Sequence, residues 1–260
     1  MTMPRTERPT DALPSGEADA LLTDVYNRAQ KELVAYITRL VIRQDVAEEL
    51  VQEAAARWIA ARTLPTDVDG ARAWLFRVAT NLAIDHRRRH STWRENVLVD
   101  TKELAMRNDD FVSQSVRLAG SPELKAIAKE HLAVCFACTL RNSKEEQGAA
   151  LLLTEVNGFS LKEAANILGQ SENQIKNALQ AARAALREKY GATCQLIGKK
   201  GVCYQCVELA RFFNGRDEDP LDGTDRDIDA RLTVLREQKE TSLGPWHQMM
   251  MRLVDELLQD

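Results

Sequence analysis

Long apolar runs are missing from this chain of 260 residues. No uninterrupted stretch approaches the ~18 residues that crossing a bilayer takes, and no hydrophobic segment follows Met1. Neither a membrane span nor a signal peptide is expected, which places the protein in the cytoplasm. A surplus of positive charge is missing too: the net charge of -4 excludes the uniformly basic surface of a histone-like protein. Nucleic-acid contact must be local, and "DHRRRH" supplies one positive spot while "GRDEDPLDGTDRDID" is mostly acidic. Alternating apolar and polar residues of useful length are absent, as are internal repeats, so strands and solenoids are not expected. Nucleophile–base constellations, phosphate loops and His-Glu-x-x-His are also lacking, which argues against an enzyme. Cysteine is sparse, and its count of five is odd. In a reducing cytosol, clustered thiols read as metal ligands or redox switches rather than disulfides.

What is present is helical periodicity. Residues 1–17 hold three of the seven prolines and read as a disordered leader. Over 18–92, Leu22, Val25, Leu33, Ile37, Leu40, Leu50, Trp58, Trp74, Leu75, Val78 and Leu82 recur at helical spacing, with "TLPTDVDG" as a break. Residues 93–120 weaken into a polar linker with room for one short helix. "GSPEL" then restarts a helix, and periodicity runs through 121–190. The predicted fold is all-α: two small helical domains joined by a linker, followed by a C-terminal helical extension over 191–260 that carries cysteines.

Within the second domain, "SLKEAANIL" leads through "GQS" into "ENQIKNALQAARAAL". A glycine able to turn left-handed and a serine able to cap the next helix make this a helix-turn-helix layout. Ser171, Glu172, Asn173, Gln174, Lys176 and Asn177 then face base edges and phosphates in a major groove, and Ile175 and Leu179 face the core. In the first domain, acidic residues beside Leu50 and Val51 make a mixed apolar and negative face suited to a basic partner helix. Arg87, Arg88 and Arg89 offer guanidinium groups to phosphates. His86 and His90 have a zinc-compatible spacing, but those arginines would repel a cation.

"DVAEELVQEAAARW" followed by "ARAWLFRVATNLAIDHRRRH" resembles regions of bacterial sigma factors of the extracytoplasmic-function (ECF) group, and the helix-turn-helix resembles their promoter-reading domain. The resemblance covers about residues 20–190. It implies that the first domain grips core RNA polymerase and opens the -10 element, and that the second reads the -35 element of promoter DNA. Carried over, Asp45, Glu48, Glu49, Leu50, Gln52 and Glu53 form the polymerase-binding surface, and Asn81, Asp85 and Arg87 to Arg89 lie at the -10 DNA. Ala178 stands where an arginine is common in the group, which bears on promoter preference; Lys176 and Arg183 remain. A metal- or redox-responsive helix-turn-helix regulator acting without polymerase is the alternative.

Past Tyr190 the chain continues for some seventy residues. With "CFAC" and "CQLIGKKGVCYQC", this extension looks like the CorE-like subgroup that ends in a cysteine-rich tail responding to copper, cadmium or zinc. Such a tail would take the place of a separate anti-sigma protein. By spacing alone, Cys203 and Cys206 form a Cys-x-x-Cys, Cys194 adds a third thiol, and Cys135 and Cys138 share a helix face with His131 one turn earlier. Two such pairs are the usual recipe for a tetrahedral soft-metal site holding zinc, copper or cadmium. Packing is the plain alternative for Cys135 and Cys138, since "LAVCFACTL" is apolar throughout. His247, beside Trp246 and Met249, reads as a packing residue, and Gly244-Pro245 should split the end of the chain into two helices.

Overall fold

The computed structural model describes residues 15–61, 64–90, 97–118, 124–194, 227–241 and 243–259, and every element among them is helical. Leu22, Val25, Leu33, Ile37 and Leu40 line one side of α1 (Ser15–Val41), each at most 9% exposed. The helices α2 (Gln44–Ala60) and α3 (Val68–Arg89) close on that side and bury Val51, Trp58, Leu75, Phe76 and Ala79. Trp58 meets Trp74 edge to face at 5.1 Å. The Tyr36 hydroxyl donates to Thr80 Oγ1 at 3.0 Å, and Thr80 in turn donates to the Phe76 carbonyl at 2.6 Å. Burial pushes the Tyr36 phenol well above its usual range.

The turn from α1 to α2 runs through Ile42, held at φ 66°. A left-handed β-branched residue costs about 1–2 kcal/mol. Burying that side chain among Ala105, Phe111, Val134, Met250 and Met251 stabilises by about 1.5–3 kcal/mol, which offsets the strain.

Residues 97–118, expected as a linker with a single short helix, instead form two helices, α4 (Val97–Ala105) and α5 (Asp109–Leu118). Asn108 caps α5 by accepting from Phe111 N at 2.9 Å. Ala105 and Phe111 of these helices are covered by α11 (Pro245–Gln259), far away in sequence.

In α6 (Leu124–Leu140) residues 131–138 are buried without interruption, as a helix apolar all round requires. It is followed by α7 (Glu145–Leu151), which passes into a π-helical turn, Leu152–Val156, then α8 (Leu161–Leu168) and α9 (Glu172–Thr193). From the extension, α10 (Ile228–Glu237) packs on α6, α9 and the π turn, and α11 packs on α4, α5 and α6. One continuous apolar core runs from α1–α3 through α6–α9 to α10. The two halves of the chain are thus docked. Arg72 of α3 donates to both oxygens of Glu32 at 2.9 and 3.0 Å and to the Asn157 carbonyl at 3.3 Å, and its guanidinium lies 4.1 Å over the Phe159 ring. No helix among the described residues is long and apolar enough to cross a membrane.

Candidate polymerase and promoter surfaces

On α2 the apolar residues Ala47, Val51, Ala54 and Trp58 turn inward, which leaves Asp45, Glu48, Glu49, Gln52 and Glu53 exposed and Leu50 half-buried at the edge. These six predicted residues, four of them acidic, form one stripe. Ile59, 73% exposed and two turns after Gln52, extends it by an apolar residue. Arg43 grips Asp45 through Nε at 3.1 Å, and that hydrogen bond holds the Asp45 carboxyl below the usual range. The extension reaches this end of α2: Gln44 Oε1 accepts from Leu243 N at 3.1 Å, beside a groove of about 250 Å³ lined by Asp45, Glu48, Met251 and Arg252.

The three consecutive arginines do not act together. Neighbours on a helix point about 100° apart, so they cannot share a face. Arg87 is the inward one, 5% exposed, with Nη2 3.4 Å from the Arg141 carbonyl and 3.9 Å from Glu145 Oε1. Arg88 pairs with Glu146 across the two halves, while Arg89 stays exposed, its Nε on the Asp85 carbonyl at 3.2 Å. Asn81 and Asp85 are exposed on the same helix. Burial, and then the neighbouring His90 and arginines, lower the His86 pKa.

The helix-turn-helix is built by its caps. Ser160 caps α8, and the backbone turns left-handed at Gly169, φ 63°, letting Gln170 N reach the Ala165 carbonyl at 2.9 Å. Ser171 then caps α9: its Oγ accepts from Gln174 N at 3.3 Å, and Gln174 Oε1 accepts from Ser171 N at 2.7 Å. Ser171 and Gln174 therefore serve the cap, and Glu172, Asn173, Lys176 and Asn177, also predicted at DNA, are exposed on the first turns of α9. Arg183, also predicted at DNA, is engaged within the chain. It is held between Glu155 at 3.0 Å and Asp229 of α10 at 2.8 Å, bonds that favour its charged form.

Three of the five cysteines lie among the described residues. Cys135 and Cys138 are both buried but pack in different apolar clusters, because α6 is sandwiched and its two sides face different neighbours. Burial pushes the Cys138 thiol far up. Cys135 instead converges with Cys194, the cap of α9, on the guanidinium of Arg231, each sulfur 3.6 Å from one of its terminal nitrogens. Cys203 and Cys206 lie outside the described residues. Among the described residues no three His, Cys, Asp or Glu side chains converge as a metal site. His247 is fully buried, with Nδ1 2.7 Å from Glu130 Oε1 and Nε2 3.4 Å from His131 Nδ1. Nothing in the spacing of these residues signals that pairing, since 116 positions separate the two histidines.

Two family descriptions match the chain: Sigma-70 region 2 over residues 25–92, on α1–α3, and Sigma-70, region 4 over residues 144–186, on α7–α9. The chain is similar to the ECF RNA polymerase sigma factor SigL of Mycobacterium tuberculosis, with 30% identity over 172 residues, covering 65% of this chain and 88% of that one. It is also similar to the RNA polymerase sigma factor SigZ of Bacillus subtilis, with 26% identity, covering 67% of this chain and 90% of that one. SigM of the same bacterium, an ECF RNA polymerase sigma factor, is 26% identical and 94% covered. With both regions in order on the helices that carry the acidic stripe and the helix-turn-helix, this chain belongs to the ECF RNA polymerase sigma factors.

Proposed function

We propose that this sigma factor directs cytoplasmic RNA polymerase to a small set of promoters and that its own extension, residues 191–260, tunes it through thiol chemistry, by a metal ion or by redox state. Under this reading no separate anti-sigma protein is needed. The observation that carries it is the double attachment of the extension. Arg183 of α9 pairs with Asp229 of α10, and Arg39 of α1 donates to the Gln238 carbonyl at 2.5 Å. A segment bound to both halves favours the docked arrangement, in which Arg88 is engaged by Glu146 rather than by phosphate. Promoter engagement needs those contacts exchanged, and an effector shifts that balance only through different affinity for the two arrangements.

The thiols bear on this in two groups. Cys135 and Cys194 meet at Arg231 on the docked face, while Cys203 and Cys206 follow in the segment that leads to α10. Cys203 and Cys206 are the ligands we assign to zinc, copper or cadmium; thiolate donors suit such soft ions. The test is promoter-specific transcription by core polymerase with this protein and with Cys203→Ser/Cys206→Ser, across added copper, zinc and cadmium. The wild type should change its output with metal and the variant should not; the same response in both would remove the tuning role. Co-elution with core polymerase checks the coarser function independently.

A further inference from the structure

The groove at the start of α2 has one wall from the first domain and one from the extension. Asp45 and Glu48 of the acidic stripe line one side and Met251 and Arg252 of α11 the other, with Leu243 and Gln248 between them. The walls are fastened together: Gln44 Oε1 accepts from Leu243 N at 3.1 Å while Gln44 Nε2 donates to Glu48 Oε1 at 2.9 Å, so one amide joins the extension's backbone to a stripe carboxylate. Gly244 N donates to Glu130 Oε1 at 2.6 Å and pins the same turn to α6. With the extension docked, Glu48, Glu49, Gln52 and Glu53 stay exposed, so α11 stands beside the stripe and not over it. At about 250 Å³ the groove falls short of the roughly 300–1,000 Å³ of small-molecule sites and suits one anchoring side chain of a macromolecular partner. Asp45 is engaged by Arg43, whereas Glu48 meets the neutral Gln44 amide, a contact that leaves its negative charge uncancelled.

We infer that α11 is part of the polymerase-binding surface: the groove between α2 and α11 takes an arginine side chain of core RNA polymerase, its apolar stem on Met251 and Leu243 and its guanidinium on Glu48. The inference rests on the polymerase-binding reading of α2 and adds the extension to that surface. Arginine fits both walls, since its stem packs on apolar side chains while its planar head takes a carboxylate. Arg252 limits the affinity, because it is exposed, lines the same groove and repels the incoming charge. By linkage, polymerase and the docking of α11 strengthen each other by the same factor.

The test is equilibrium binding of the full chain to core polymerase, together with hydrogen exchange of the complex. Arg252→Glu removes a like charge and adds a carboxylate to the groove, so it should bind core polymerase about fivefold tighter at low salt, with the gain shrinking as salt rises. Lys31→Glu makes the same charge change on an exposed residue about 15 Å up α1 and should leave the affinity nearly unchanged. Exchange over residues 245–254 should slow in the complex. The inference is overturned if Arg252→Glu binds no tighter than Lys31→Glu, or if exchange over 245–254 is unchanged or faster, faster exchange being the mark of an α11 displaced by polymerase. The exchange measurement is made on the wild type, so it decides the matter without any variant. Should the wild type fail to bind core polymerase, the polymerase reading falls and the groove with it; should it bind while either groove measurement fails, the groove alone is lost.

Discussion

Arg72 shows how one side chain can join two halves of a chain. Its guanidinium satisfies Glu32, which is 8% exposed, and covers Phe159 from the other half. Breaking a buried pair costs roughly 3–5 kcal/mol; with Arg72 28% exposed, Arg72→Ala should cost about 2–3 kcal/mol in urea unfolding. His86 sets a pH dependence of known sign. Its folded pKa lies below the ordinary 6.5, chiefly through burial, so the unfolded chain binds the proton more readily. Its contribution is present above pH 6.5 and is lost as pH falls below that value. The melting temperature should therefore drop between about pH 6.5 and 5, and His86→Gln should flatten that drop. Arg72 is not marked by its neighbours in sequence. The run Arg87 to Arg89 is conspicuous there, yet helix geometry gives its three members three different partners.

The caps of α8 and α9 are where local sequence and structure agree most closely. Ser160 with Glu163, Gly169, and Ser171 with Gln174 each do a job that neighbouring residues define, so the helix-turn-helix is legible within the single stretch 160–174. Gly169→Ala should cost about 1–2 kcal/mol because alanine at φ 63° crowds its own carbonyl, and Ser171→Ala about 1 kcal/mol through the lost cap, both read by thermal unfolding. Lys176→Ala on the exposed face should leave the melting temperature nearly unchanged, yet weaken DNA binding and reduce its salt slope by about 1. The helices α4 and α5 are the opposite case. Their burial comes from α11, which lies more than a hundred positions later in the chain, and no window along residues 97–118 contains that partner.

For the molecule as a whole, the docked arrangement sets what is available. The acidic stripe of α2 and the tip of α9 stay open, whereas Arg87, Arg88 and Arg183 are engaged. Arg88 and Glu146 are 56% and 31% exposed, so their pair adds little to stability. Glu146→Gln should leave thermal unfolding unchanged and release Arg88 to phosphate, steepening the salt dependence of promoter binding by about 1 in slope. A slope equal to that of the wild type would mean that Arg88 does not reach DNA.

Helix periods, the acidic stripe and the capped helix-turn-helix were readable from order alone, because each depends on residues within one or two turns of one another. The neighbours of Arg87, Arg183, Cys135 and Cys138 were not. Each was settled by which distant helix packed beside it: α7 for Arg87, α10 for Arg183 and Cys135, α11 for Cys138. A charge or a thiol does not carry its partner in its own neighbourhood, and packing by a remote element decides whether it faces solvent, an ion pair or the core.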